Sequence, residues 1–377
     1  MKKPLAFLLI FSLCLSGTLQ TTDKNKEKHQ NKKLKDAFPI PRIFPGDLIT
    51  QKDPSQNGTL APNSSDFFPE LHLQDNTSAQ YIQGPLSTRV IPVIYILVLT
   101  VGIPANIVIL GTLATKIRKV SSAILYCSLA VSDLFLLFSL FFKAHYHLHG
   151  NHWLFGEPAC RLVTACFYGN LYCSAQTLAC ISIKRYLAVA HPFMYKSLPK
   201  RMYTSWVCVV VWGVFGAAVI PELLIQQTYW IPQLHILTCH DVLPVRYDSH
   251  SFLLYYNLFL TIFGLLLPLV VTIMCYVRIM HELNQAHSDW ALYMKASSLV
   301  FVIFVVCFAP AGVLHFLHYV NLSVNGTGIL YVYFNVAVCL CCLHSCLDPF
   351  LFLLMSKSTG SSRYLKGFKG QTLSISV

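Results

Sequence analysis

An all-α membrane protein built as a bundle of seven spanning helices is the fold this sequence predicts, and three observations predict it. Apolar residues make up 55% of the 377 positions and charged residues 12%, with a mean hydropathy of +0.54, too apolar for a water-soluble domain of this length. The apolarity is gathered into separate runs of about 20 residues or more, the length that crosses a bilayer. The runs lack the period-two alternation of a membrane barrel, so helices must satisfy the backbone in hydrocarbon.

In chain order, Lys2 and Lys3 precede an apolar run, Leu5–Leu15, and the small residues Ser16 and Gly17 follow. That pattern predicts a signal peptide over residues 1–20, cleaved within Gly17–Gln20 and too short to span. A tail over residues 21–88 then lies outside. Seven spans follow near Val90–Thr115, Ala123–Tyr146, Ala159–Ala190, Tyr203–Ile225, Phe252–Arg278, Ala291–Tyr319 and Ile329–Met355. A short tail, residues 356–377, closes the chain inside. Loop charge agrees: Lys116, Arg118, Lys119, Lys196, Lys200 and Arg201 fall on the inner side, while the second outer loop carries only Arg246. The Lys24–Lys35 tract runs against this count, but a signal peptide translocates it regardless. Five glycosylation sequons, at Asn57, Asn63, Asn76, Asn321 and Asn325, all fall outside under the same topology. The predicted location is the plasma membrane, in contact with lipid, with the N-terminus outside and the C-terminus in the cytoplasm.

Several function classes drop out. The net charge of +12 comes without any nucleic-acid module, so no nucleic-acid partner is expected. His281-Glu282 lacks a second histidine at Gln285, and there is no nucleophile elbow or Walker loop, so no catalytic residue and no enzyme activity are predicted. Cys339, Cys342 and Cys346 share a face of the seventh span near His344, and read as packing residues; no metal centre is expected there. His145, His149 and His152 in the first outer loop are equally weak as ligands. Once the signal peptide leaves, Cys160 and Cys239 are the two cysteines placed outside, and an oxidising compartment pairs them.

Polar residues and prolines inside the spans carry a more specific signal. They read Gly102-Ile-Pro-Ala-Asn106, Leu129-Ala-Val-Ser-Asp133, Lys184-Arg185-Tyr186, Trp212, Pro268 with Tyr276, Phe304-Val-Val-Cys-Phe-Ala-Pro310 and Asp348-Pro-Phe-Leu-Phe352. One set per span, in this order, resembles the rhodopsin-like G-protein-coupled receptors over Arg89–Met355. The resemblance implies that heterotrimeric G proteins dock at the inner end, with Arg185, Tyr186, Tyr276, Phe308, Pro310, Asp348, Pro349 and Phe352 as the switch. It also implies the Cys160–Cys239 bridge. Asp133, Ser174 and Asp348 would meet in the bundle, where two carboxylates need a shared proton, ordered water or a cation such as sodium; no other cofactor is expected. The chain departs from the pattern at Lys184, where an acid is usual, at Trp290, and at Phe352, where a tyrosine is usual.

Cys239-His-Asp-Val-Leu243, Asn170-Leu-Tyr-Cys173, Ser345-Cys-Leu-Asp-Pro-Phe350 and Asn151-His-Trp-Leu-Phe-Gly156 are similar to the proteinase-activated receptors. Tyr293-Met-Lys-Ala-Ser297 and Met355-Ser-Lys look most like that family's third subtype. The resemblance implies activation by a thrombin-like serine protease that cuts the outer tail, so that the new N-terminus becomes a tethered ligand in coagulation or vascular signalling. Pro41-Arg42 suits such a protease, with Lys35-Asp36 as the weaker site, and Ile43, Phe44, Pro45, Gly46 and Asp47 become the ligand. His240, Asp241, Val242 and Leu243 form the expected receiving loop, with Asp241 facing the new ammonium. Asp66-Phe-Phe-Pro-Glu70 resembles an acidic-aromatic protease-docking element. About 40 residues of coil between Asp47 and Arg89 would span ~35 Å, giving a millimolar effective concentration. The alternative is a protease-docking cofactor that serves a neighbouring receptor of the same family and signals weakly itself.

Overall fold

The computed structural model describes residues 44–48, 68–73, 76–116, 121–244, 256–285, 291–325 and 329–354. The signal peptide, Arg42, Ile43, Asn57, Asn63, Trp290 and the cytoplasmic tail lie outside the described residues.

Seven long helices are present in the expected order. The first is Ile91–Lys116, led in by a short helix α1, Asn76–Gln83. The second is Ser122–Leu148 and the third Gly156–Ala190. A short helix α2, Pro192–Ser197, precedes the fourth, Lys200–Leu224. The fifth contains Leu267–Gln285, the sixth is built from Ala291–Ile303 and Ala309–Asn325, and the seventh begins with Ile329–Cys341. Exposed positions on these helices are apolar, among them Leu97, Val108, Trp206, Val277 and Val306, as a lipid-facing surface requires.

Six described helices are long and apolar enough to cross a membrane by length and composition, and the third is not among them. The reason is its position. It packs against the second, fourth and fifth spans, and buries Thr164, Asn170, Ser174, Thr177, Ser182 and Arg185. A helix surrounded by protein can carry hydroxyls and amides that a lipid-facing helix cannot.

Prolines shape three helices in one way. The segments Leu86–Val90, Ile262–Leu266 and Phe304–Phe308 are single wide turns with i→i−5 bonds, closed by the N–H groups of Ile91, Leu267 and Ala309. In each case the next residue is a proline: Pro92, Pro268 and Pro310. A proline ring collides with the carbonyl one turn earlier, and a wide turn at that point makes room. At Pro310 the distortion that a proline forces on a helix therefore takes the form of a π turn.

A proline within a span also orphans a carbonyl one turn earlier, and named side chains satisfy several. Asn106 donates its amide to the Ser345 carbonyl at 2.9 Å, the group freed by Pro349. Tyr256 donates to the Ala217 carbonyl at 3.0 Å, freed by Pro221. Gln176 donates to the Phe263 carbonyl in the wide turn before Pro268 at 2.8 Å. Asn106 is 1% exposed, so no water replaces it. Asn106→Ala is expected to cost about 1–3 kcal/mol, read as a lowered thermal midpoint of the purified receptor, while Gln176→Ala, at an exposed bond, costs less.

Over the outer face the second outer loop forms a hairpin, β3 Thr228–Ile231 with β4 Ile236–Cys239, antiparallel. A second sheet brings together β1 Phe44–Leu48, β2 Leu71–Leu73 and β5 Val242–Pro244 in the order β2-β1-β5. β1 is antiparallel to β2 and parallel to β5. The coil expected from Asp47 to Arg89 is thus interrupted. Leu71 is fully buried, α1 buries Tyr81 and Ile82, and the Ile82 carbonyl accepts from the Asn151 amide. Both Asp47 and the stretch from Phe68 onward are held on the receptor.

Candidate functional site

The outer loop is pinned to the third span in two ways. Cys160 and Cys239 are bridged. Glu157, in the first turn of that span, accepts from the backbone N–H groups of Gln227 at 2.8 Å and Thr228 at 2.7 Å. Its carboxylate also pairs with Arg161. A carboxylate at a helix N-terminus is favoured by the helix dipole, so one residue stabilises both helix and loop.

Beyond Cys239 the chain turns sharply. His240 has a φ of +67°, a left-handed conformation uncommon for a residue other than glycine. The turn sends the next side chains inward: His240, Asp241, Val242 and Leu243 are all buried. Asp241 accepts from the Tyr146 hydroxyl at 2.8 Å and the Tyr331 hydroxyl at 3.0 Å, tying the second and seventh spans to the loop. What Val242–Pro244 offers outward is backbone, and β1 pairs with it through Phe44↔Val242, Pro45↔Leu243 and Gly46↔Pro244. Pro45 has no N–H, so this ladder runs through Phe44 and Gly46 to Leu243. The predicted ligand residues Phe44–Asp47 and the predicted receiving loop are therefore adjacent, joined by main chain.

In the centre of the bundle Asp133, Ser174, Asp348 and His344 are all buried. Ligand atoms of Asp133, His344 and Asp348 lie within 4.8 Å of one another, and His344 Nε2 is 3.4 Å from Asp133 Oδ1. Asn170 donates to the hydroxyls of Ser132 at 2.9 Å and Ser174 at 3.0 Å. Among the described residues, Asp133 Oδ2 and both oxygens of Asp348 meet no N–H or hydroxyl donor. His344, read from sequence beside the seventh-span cysteines, faces the acids instead.

At the inner end Arg185 is 4% exposed. It donates through Nη2 to the Tyr126 hydroxyl at 2.9 Å, and the Tyr126 ring meets Phe352 edge-on at 5.9 Å. Tyr126, a residue without a sequence signature, thus lies between Phe352 and Arg185. Lys184, where an acid is usual, donates to the hydroxyls of Ser121 at 3.1 Å and Thr204 at 3.0 Å. The remaining switch residues are dispersed: Tyr186 meets His191 at 3.2 Å, Tyr276 stacks on Phe301 at 4.2 Å, and Phe308 packs on His344 at 4.8 Å. A hydrogen bond to a charged group is worth roughly 1.5–3 kcal/mol. Tyr126→Phe is therefore expected to raise ligand-independent G-protein dissociation several-fold; an unchanged basal level contradicts Tyr126 as a restraint.

Of the sequons, Asn76 is exposed as the first residue of α1, Asn321 is half-buried, and Asn325 ends the sixth span.

Seven helices, a bridge from third span to outer loop, and a buried arginine at the inner end define a class, and the sequence agrees. Residues 105–352 match the 7 transmembrane receptor (rhodopsin family) model, and the chain is a multi-pass membrane receptor of that family, not an enzyme. It is 46% identical over 292 residues to proteinase-activated receptor 3 of Bos taurus, covering 78% of this chain and 77% of the relative. It is 45% identical to proteinase-activated receptor 3 of Homo sapiens, covering 78% of each chain. Human proteinase-activated receptor 4 is 33% identical over 92% of this chain and 87% of its own. The chain belongs to the proteinase-activated receptors.

Proposed function

We propose that a thrombin-like serine protease cuts this receptor after Arg42 and that the new N-terminus, Ile43-Phe-Pro-Gly-Asp47, is its tethered ligand. The observation that carries this reading is the seating of Phe44–Leu48 between two strands on the outer face. The strand is seated in the uncut chain, so cutting supplies a charged terminus beside an already docked segment. An ammonium next to the Asp241 loop would then shift the bundle through Tyr146 and Tyr331, and heterotrimeric G proteins would read the change at Arg185. Arginine before the cut pairs with the acid of a trypsin-like primary pocket, and the preceding proline is already extended. The test is G-protein dissociation after protease treatment, in cells lacking other family members, with N-terminal sequencing of the cut receptor.

The oxygens of Asp133, Asp348 and Ser174 fit a hard cation such as sodium, which would neutralise two acids in low dielectric. Raising sodium at constant ionic strength is expected to raise the thermal midpoint of the purified receptor, and Asp133→Asn to abolish the dependence. A midpoint indifferent to sodium rejects the ion.

A second reading is that the chain docks the protease for a neighbouring receptor and signals weakly. One observation favours it: with the strand in its slot, Arg185 is still bonded to Tyr126. A receptor fully cut at Arg42 that releases no G protein supports this reading over the first.

A further inference from the structure

The seated strand has two walls, and one of them belongs to the tail itself. β2 faces β1 in the register Gly46↔Leu73, Asp47↔His72 and Leu48↔Leu71. The Leu73 N–H donates to the Gln233 side-chain oxygen at 2.8 Å, and the Gln233 amide nitrogen reaches the Leu73 carbonyl at 3.4 Å. The Trp230 N–H donates to the Pro69 carbonyl at 3.1 Å. N–H and C=O groups alternate sides along a strand. Residues 69, 71 and 73 therefore present their backbone to the outer-loop hairpin, and His72 presents its own to Asp47. Pro45 points to the same side as Asp47, past Leu73, the end of the described strand, so its missing N–H removes no bond of this ladder. Phe44 and Gly46 point the other way, to β5. The prolines and the two edges fit without conflict.

We infer that β2, held by Gln233, is the second half of a binding slot for an extended peptide, and that Gln233 is a positioning residue for the segment Phe44–Leu48. The inference rests on the tethered-ligand reading for its role in signalling, but not for the slot. Gln233 lies in the turn between β3 and β4 and does not touch β1 in any bond described. It grips both polar groups of Leu73, which fixes the facing edge of His72. The ligand is then read by main chain on both sides: β5 gives the wall built into the receptor core, β2 the wall supplied by the tail.

The test is hydrogen exchange on the full-length, uncut receptor, with Gln233→Ala, His72→Pro and His72→Ala. Gln233 and His72 are exposed, so the bundle tolerates these changes. In wild type the amides of Gly46, Asp47 and 71–73 exchange on the order of tenfold or more slower than a free chain. Gln233→Ala and His72→Pro lose that protection, while His72→Ala keeps it because only the side chain changes. A Gly46→Cys, Leu73→Cys pair, opposite at ~4.5 Å in a non-hydrogen-bonded register, forms a disulfide that proteolytic mapping detects. Unprotected 71–73 amides in wild type, or protection that survives Gln233→Ala, overturns the inference. After protease treatment, Gln233→Ala is expected to be cut at the wild-type rate yet need several-fold more protease for half-maximal signalling. Wild-type protection with a receptor that stays silent when cut leaves the slot standing and rejects the signalling reading; full signalling without protection does the reverse.

Discussion

Replacing Arg42 with alanine is expected to slow cleavage at this bond by on the order of 10⁴-fold, the penalty when a site built to hydrogen-bond a substrate N–H meets a substrate without it, and so to abolish protease-triggered G-protein dissociation. The reason lies in both partners. A trypsin-like pocket is organised around an acid, and filling it with a methyl group leaves that acid buried without a counter-ion. On the receptor, the cut also decides where the new terminus falls. Cleavage after Arg42 leaves one residue, Ile43, before the strand that begins at Phe44. Cleavage after Lys35 would leave seven additional residues and set the new ammonium that much farther from the strand. Lys35→Ala should therefore leave the response intact. A response that persists in Arg42→Ala and vanishes in Lys35→Ala moves the site.

Asp241→Ala is expected to be the most damaging single change in the outer half. It removes the acceptor that Tyr146 and Tyr331 share, at about 1–3 kcal/mol for each buried donor. It also unties the second and seventh spans from the loop whose edge pairs with β1. The expected readings are poor surface expression and loss of exchange protection in 44–48. Asp241→Asn keeps one carbonyl acceptor and should fall between. A double-mutant cycle separates the bond from the packing: Tyr331→Phe in the Asp241→Ala background should cost much less than in wild type. Full additivity rules out coupling through this carboxylate.

The spans were legible because hydrocarbon admits few solutions, and a run of apolar residues without charge announces itself. The third span was read from its apolar run with the others, yet its hydroxyls, amides and charges keep it from passing as a lipid-facing helix, since a central helix is surrounded by protein. The prolines announced kinks; the wide turns before Pro92, Pro268 and Pro310 follow from ring geometry but leave no separate mark. The loop Cys239–Leu243 was legible, yet its role differed from the expected one. Asp241, read as facing a ligand, is bonded to two tyrosines, and Val242 and Leu243 bury their side chains and offer backbone. Main-chain recognition leaves no residue signature, which is why Gln233 and Leu71–Leu73 could not be read in advance. Tyr126 and His344 were hidden for another reason. A lone tyrosine or histidine in an apolar span gains meaning only from what the bundle sets opposite it, here Arg185 and Asp133.

If Ile43 onward is a ligand once its amino group is free, a receptor that begins there needs no cut to signal. The direct measurement is G-protein dissociation, in cells lacking other family members, from a receptor whose tail is made to start at Ile43 by placing the signal-peptide cleavage point there. Strong signalling without any protease is expected, reduced in the same chain carrying Gln233→Ala. A receptor that starts at Ile43, reaches the cell surface and stays silent would contradict it.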